Sequence, residues 1–98
     1  MIQREGSKTI VTPTGRIDTN NAPLFADTMN EALAGTEELV LDFCHLDYIS
    51  SSGLKVVLRS VKTMLAQGEM RIVNVSKDIY EVLEVTGFIG FCEVELKT

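Results

Sequence analysis

The chain has few of the residues that bind metals or form covalent cross-links. Its 98 residues include two cysteines, one histidine, two prolines and no tryptophan. Cys44 and Cys92 lie far apart, and a lone His45 beside them does not form a zinc signature. The first residues show no apolar export signal, so we expect reduced, buried thiols. We therefore expect no metal and no cofactor.

Basic charge and long apolar runs are also scarce. Nine basic residues against fourteen acidic ones give a net charge of −5. This balance argues against the basic face that nucleic acids and anionic membranes require. No apolar run approaches the ~20 residues that span a bilayer. The hydrophobic fraction of 45% is nevertheless that of an ordinary globular protein. We expect a small cytoplasmic domain that binds neither nucleic acid nor membrane.

Alternating hydrophobic periodicities predict the fold. Strands are predicted at residues 1–4, 8–14, 39–43, 70–75 and 91–96. Helices are predicted from an Asn20 or Asn21 cap to Gly35, over residues 51–67, and from a Ser76 cap to Gly87. The order β-β-α-β-α-β-α-β predicts an α/β fold, in which crossover helices pack on a mixed sheet. A single domain covering residues 1–98 is expected.

The predicted core follows from the same spacing. The apolar run at 39–43 is typical of a strand covered on both faces. The longest helix has an apolar stripe at helical spacing, made of Leu54, Val57, Leu58, Val61 and Leu65. The methionines Met29, Met64 and Met70 are also assigned to the core. Pro13 cannot donate a ladder hydrogen bond, so it indicates a sheet edge, a bulge or a strand end.

Three consecutive serines precede Gly53 where a buried strand gives way to a helix. Functional sites of α/β sheets collect at this end of the strands. One serine of the three is expected to cap the helix, and Gly53 is expected to allow close packing. A serine-hydrolase elbow is disfavoured, because Ile49 stands where the first glycine is needed. A phosphate-binding loop is also disfavoured, because Leu54 follows Gly53 where such a loop needs a lysine. Phosphorylation of a serine is the remaining hypothesis, since helix N-termini tolerate a phosphate.

Three segments resemble one family in register. The stretches 40–43 and 46–54 resemble the central motif of STAS domains, especially the bacterial anti-sigma factor antagonists. The segment Thr-Gly-Arg-Ile-Asp at 14–18 resembles their first-crossover motif, and 85–88 resembles the stop after their third long helix. The resemblance covers essentially the whole chain and agrees with the predicted order of elements.

The resemblance implies a regulatory switch without catalysis. Family antagonists bind a serine kinase that is also an anti-sigma factor, which releases the sigma factor. The kinase then phosphorylates the antagonist, and a PP2C-type phosphatase reverses the modification. By position before Gly53, the phosphorylated residue is Ser51, with Ser50 and Ser52 as alternatives. The best-known members have aspartate where this chain has Ser50.

The same resemblance assigns one further site residue and two other settings. Asp18 corresponds to an acidic residue near the phosphorylation site. Independently of the resemblance, helical spacing places Lys55 one turn into the helix, where it can pair with the phosphate. Tyr48 and Leu54 are candidate partner contacts, although Leu54 also fits the core. The alternative function is a STAS subunit that docks on the ATPase of an ABC-type lipid transporter. A third possibility is a subunit of a larger stress-signalling assembly, whereas an isolated antagonist is expected to be monomeric alone.

Overall fold

The computed structural model describes residues 2–97. Along this stretch, strands alternate with helices in the following order: β1 (Ile2–Glu5), β2 (Lys8–Val11), β3 (Thr14–Ile17), α1 (Ala22–Leu33), β4 (Glu38–Asp42), β5 (His45–Ile49), α2 (Ser51–Gln67), β6 (Glu69–Val75), α3 (Lys77–Val85), a 3-10 turn (Phe88–Gly90) and β7 (Glu93–Leu96). The predicted α/β class, with each long helix joining successive strands of the sheet, is confirmed.

The main sheet has five strands in the order β1-β2-β4-β6-β7. The hairpin β1–β2 is antiparallel, and every other neighbouring pair in this sheet is parallel. The parallel pairs are joined by the crossover connections that contain α1, α2 and α3, as parallel pairing requires. The expected mixed sheet is therefore present.

Two strands differ from the prediction. The predicted strand 8–14 ends at Val11, and a separate strand β3 begins after Pro13. Because Pro13 has no N–H to donate, the chain leaves the main sheet there. The segment between the predicted strand 39–43 and the predicted helix 51–67 contains β5, which pairs in parallel with β3 as a separate two-stranded ribbon. In β5 the buried residues Leu46 and Ile49 are three apart, so the alternation that identifies a strand is missing.

All three helices pack on the same core. They contribute buried residues to one cluster with Leu39 and Leu41 of β4, which are fully buried. Val40 points to the opposite face of the sheet and lies outside this cluster. On that face Arg71 pairs with Glu38 and Glu95 at 3.7 and 3.6 Å. The strand β4 was predicted to be covered on both faces, but the helical core covers only one of its faces. The predicted core methionines Met29, Met64 and Met70 are buried.

The predicted apolar stripe of α2 is only partly correct. Val57 and Val61 are buried, but Leu58 and Leu65 are 36% and 63% exposed. Leu54 is half-buried against the core. The helix turns a different face inward, where its buried residues are Gly53, Val56, Val57, Ser60, Val61 and Met64. The leucines predicted to be core therefore lie along the margin of this face.

The two cysteines are free, as predicted, but each is half-buried rather than fully buried. Burial raises the pKa of the Cys92 thiol to about 11. A hydrogen bond to the Asp42 carboxylate, together with partial burial, raises the pKa of Cys44. Both groups therefore remain protonated thiols near neutral pH, which makes them poor nucleophiles. None of the helices within residues 2–97 has both the length and the apolar character that a membrane span needs.

The end of α2 approaches β4 closely at Gly68, which allows a test of the fold. A Cβ atom at Gly68 would lie 1.9 Å from the carbonyl oxygen of Glu37, whereas one at Gly90 would meet nothing within 4 Å. We expect Gly68→Ala to lower the free energy of unfolding by about 3 kcal/mol, because backbone must move. Gly90→Ala should change it by less than about 1 kcal/mol. Urea unfolding measures both, and equal stabilities would contradict the contact.

Candidate functional site

The ribbon of β3 and β5 positions the start of α2. Ile17 and Ile49 are register partners at the carboxyl ends of these two parallel strands. The backbone N–H of Ser50 donates to the Ile17 carbonyl oxygen at 2.8 Å. The helix α2 then begins at Ser51 with no intervening loop. The serine segment is therefore fixed to the ribbon by backbone bonding.

Gly53 allows α2 to lie directly on the ribbon. A Cβ atom at this position would lie 2.7 Å from Ile17 Cγ2 and 2.8 Å from Ile49 Cγ1. Both isoleucines are buried, so their side chains have little freedom to move aside. The predicted close packing at Gly53 is present.

The three serines have different environments. Ser50 is buried, and its Oγ accepts a hydrogen bond from the Gly53 N–H at 3.2 Å. The predicted serine cap is therefore Ser50. Ser51, the first residue of α2, is exposed, and Ser52 is partly exposed. The capping hydroxyl of Ser50 and the accessible hydroxyl of Ser51 thus belong to neighbouring residues.

An apolar groove begins at Ser51. It has a volume of about 250 Å³ and lies between the first two turns of α2 and the segment that follows α3. The surface that its walls expose is almost entirely apolar, because the polar residues contribute mainly carbon atoms. We call it the Ser51 groove, and it is lined by Ser51, Leu54, Lys55, Leu58, Thr86 and Phe88. A modification of Ser51 would therefore lie at the edge of an apolar surface.

A second groove lies on the other side of Lys55, between the first turns of α1 and α2. It also measures about 250 Å³, and we call it the Ser52 groove: Thr19, Ala22, Pro23, Ala26, Ser52, Lys55, Val56 and Arg59. Lys55 and Arg59 are its charged residues, and no acidic side chain lines it. Lys55 therefore separates an apolar groove from a basic one.

Asp18 lies at the same end of the ribbon as Ser50, one residue beyond the Ile17–Ile49 pair. Its Oδ1 accepts hydrogen bonds from the N–H groups of Asn20 and Asn21 at 3.0 and 3.1 Å. The Asp18 carboxylate therefore shapes the turn into α1. Asn21 occupies the N-cap position of α1, as predicted, but its side chain makes no capping hydrogen bond. The side chain accepts from Asp18 N and donates to the Arg16 carbonyl instead.

Several residues of this region were not predicted. Arg16 stacks over the ring of Tyr48 with its guanidinium carbon 4.3 Å from the ring centroid. Leu58, Thr86 and Phe88 line the Ser51 groove, but nothing in their sequence positions brings α3 to α2. Arg59 could have been recognised, because it lies one helical turn after Lys55. A larger groove of about 330 Å³ lies at the other end of α2, and none of the predicted site residues lines it.

The comparisons with known proteins agree with this arrangement. The STAS domain family model matches residues 1–97. The chain belongs to the STAS domain family. A relative from Bordetella bronchiseptica, BtrV, which is named as an anti-sigma factor antagonist, is 37% identical over 82 residues, or 82% of this chain and 71% of BtrV.

Solved structures of STAS proteins share the fold. A Thermotoga maritima protein, also named as an anti-sigma factor antagonist, superposes with a TM-score of 0.88 at 20% identity, covering 97% of this chain and 84% of its own. The Bacillus cell fate determinant SpoIIAA in its phosphorylated form gives 0.77 at 16% identity, covering 96% and 88%. At these identities the likeness establishes the fold of this STAS domain.

The different roles of the serines can be tested by stability. We expect Ser50→Ala to lower the free energy of unfolding by about 1 kcal/mol, because the Gly53 N–H loses its acceptor. Ser51→Ala should change it by less than about 0.5 kcal/mol, since this hydroxyl is exposed. Chemical denaturation of both variants measures the difference. A larger loss in Ser51→Ala than in Ser50→Ala would contradict the assignment of the cap.

Proposed function

We propose that this STAS domain is an anti-sigma factor antagonist, switched by phosphorylation of Ser51. Its partner is a serine kinase that is also an anti-sigma factor, and binding releases the sigma factor. A PP2C-type phosphatase restores the unmodified form. The domain acts in the cytoplasm as a monomer and performs no catalysis itself. The BtrV relative is named for the antagonist function, and a fold neighbour, SpoIIAA, has a phosphorylated form.

The observation that carries the proposal is the position of Ser51 at the rim of the apolar Ser51 groove. Its hydroxyl is on the surface, where a kinase can reach it. The Ser50 hydroxyl is buried and accepts from the helix backbone, so it is a poor phosphate acceptor. Ser52 is less exposed and lines the other groove. Ser51 is therefore favoured over its two neighbours.

Phosphorylation of Ser51 is compatible with the fold but not with a close contact at the groove. A phosphoserine carries about −1.5 to −2 charges, which the N-terminal end of a helix tolerates. Lys55, one turn further along α2, can pair with it. An apolar partner surface would have to desolvate this dianion in order to bind. About 3 kcal/mol of such cost is enough to weaken binding a hundredfold.

The switch is tested by two variants of Ser51. We expect Ser51→Asp to weaken binding to the kinase by about tenfold or more, because a fixed charge occupies the groove rim. Ser51→Ala should bind like the parent but accept no phosphate. Calorimetry measures the affinities, and mass spectrometry of protein from its native host maps the phosphate. Phosphate on Ser50 or Ser52 alone would refute the assignment to Ser51.

The role of the Ser51 groove is tested by its apolar wall. We expect Leu58→Asn to weaken kinase binding by about tenfold, since the partner's apolar contact is lost. Leu24→Asn is the matched control, because Leu24 is an exposed helical leucine that does not line this groove. Equal affinities of the two variants would argue against docking here. Co-purification with a transporter ATPase instead of a kinase would contradict the proposed partner and favour a lipid-transport subunit.

A further inference from the structure

The helix α2 differs in charge from the rest of the chain. It contains three basic residues, Lys55, Arg59 and Lys62, and no aspartate or glutamate. All fourteen acidic residues and the other six basic ones lie outside it, so a helix of charge +3 belongs to a chain of net charge −5. The overall acidity of the protein therefore conceals a local basic surface.

The three cations form one exposed stripe. Their offsets of four and seven residues place them on one side of the helix, over about 10 Å of its axis. All three residues are exposed. The ion pairs within 4 Å among residues 2–97 both involve Arg71, so none includes a cation of this stripe. We call Lys55, Arg59 and Lys62 the basic stripe.

A row of leucines runs beside the basic stripe. Leu58 and Leu65 are exposed and lie four and eleven residues after Leu54, which is half-buried. On the helix circumference this row adjoins the basic stripe on the side of Ser51. Neither groove beside Lys55 contains an acidic side chain. The outer surface of α2 is therefore both basic and apolar, and it begins at Ser51.

We infer that this surface docks an acidic, amphipathic segment of the kinase partner, and that phosphorylation of Ser51 acts partly by neutralising Lys55. The inference rests on the proposed function, whose site it extends along α2. Charge complementarity selects the occupant, because unpaired cations attract carboxylates while the leucines bury apolar side chains. An anionic membrane is a poorer occupant, since attraction to anionic lipids typically takes clusters of about four to eight basic residues and this helix has three.

Phosphorylation would alter this surface locally. Lys55 lies one turn after Ser51, so a phosphate there pairs with it within the same chain. The pairing withdraws Lys55 from the partner's carboxylates, and the additional negative charge repels them. Modification of Ser51 therefore weakens both the apolar contact in the groove and the electrostatic contact along the helix.

The test uses a charge reversal and a matched control. We expect Arg59→Glu to weaken binding to the kinase roughly tenfold, and raised salt to weaken the parent in the same direction. Lys77→Glu makes the same change of charge at an exposed helical position on α3, and should bind like the parent. The carboxylate introduced by Arg59→Glu lies near Lys55 and Lys62, so we expect this variant to fold. Circular dichroism checks that it does. Equal binding by both variants overturns the inference, whereas no binding by the parent refutes the proposed function itself.

A probe that does not depend on the kinase further distinguishes failure of this inference from failure of the proposed function. We expect a synthetic helical peptide of glutamate and leucine to shift the backbone NMR signals of α2, and a lysine–leucine peptide to leave them unchanged. Arg59→Glu should remove the shifts, and Lys77→Glu should retain them. Shifts confined to other elements would overturn the inference. So would tighter binding to phosphatidylglycerol vesicles, or a dimer that Arg59→Glu dissolves, since either would identify a different occupant.

Discussion

The contact on which the site depends is the approach of α2 to the β3–β5 ribbon at Gly53. No side chain fits between the helix and the two isoleucines beneath it, Ile17 and Ile49. The backbone bond from Ser50 to Ile17 fixes the same junction from the other side. Because both constraints act within four residues, the direction of the first turn of α2 is determined. The positions of Ser51 and Lys55 on the surface follow from it.

The junction also separates the serine that caps the helix from the serine of the proposed switch. The capping hydroxyl belongs to Ser50, so the hydroxyl of Ser51 is not needed for folding. A phosphate can therefore be added at Ser51 without removing a hydrogen bond that holds the helix. If a single serine performed both roles, modification would weaken the cap and the fold together. Consecutive serines allow a change of surface without a change of structure, which suits a reversible switch.

The sequence predicted the elements with strong periodicity and missed those that depend on tertiary context. The helices and the central parallel strands were recognised, because their apolar residues recur at regular spacing. The ribbon was missed because β5 buries residues three apart and Pro13 divides what had been one predicted strand. In the candidate site segment, the serine cap and the close packing at Gly53 were predicted and are present. Its grooves were not predicted, since their walls come from distant segments such as Thr86 and Phe88.

The leucines of α2 show why periodicity alone misassigned a surface. Leu58 and Leu65 have helical spacing with Val61, so they fit a core stripe as well as the true inward residues do. The inward face is decided by packing of α2 against α1 and the sheet, which places Val56 and Ser60 in the core instead. Singly exposed apolar residues are common on protein surfaces, but these leucines lie in one row beside a row of cations. The misassigned leucines therefore form the apolar part of the docking surface proposed above.

Net charge is a poor guide to the effect that the proposed phosphate would have on this protein. A modification of about −2 changes the total from −5 by less than half. The same modification removes about two-thirds of the +3 carried by α2. Salt screens charges beyond about 8 Å at physiological ionic strength, a distance shorter than the basic stripe. A partner docked on α2, as proposed, would therefore interact with the charge of the helix rather than with that of the whole chain. For such a partner the phosphate would be a large electrostatic change.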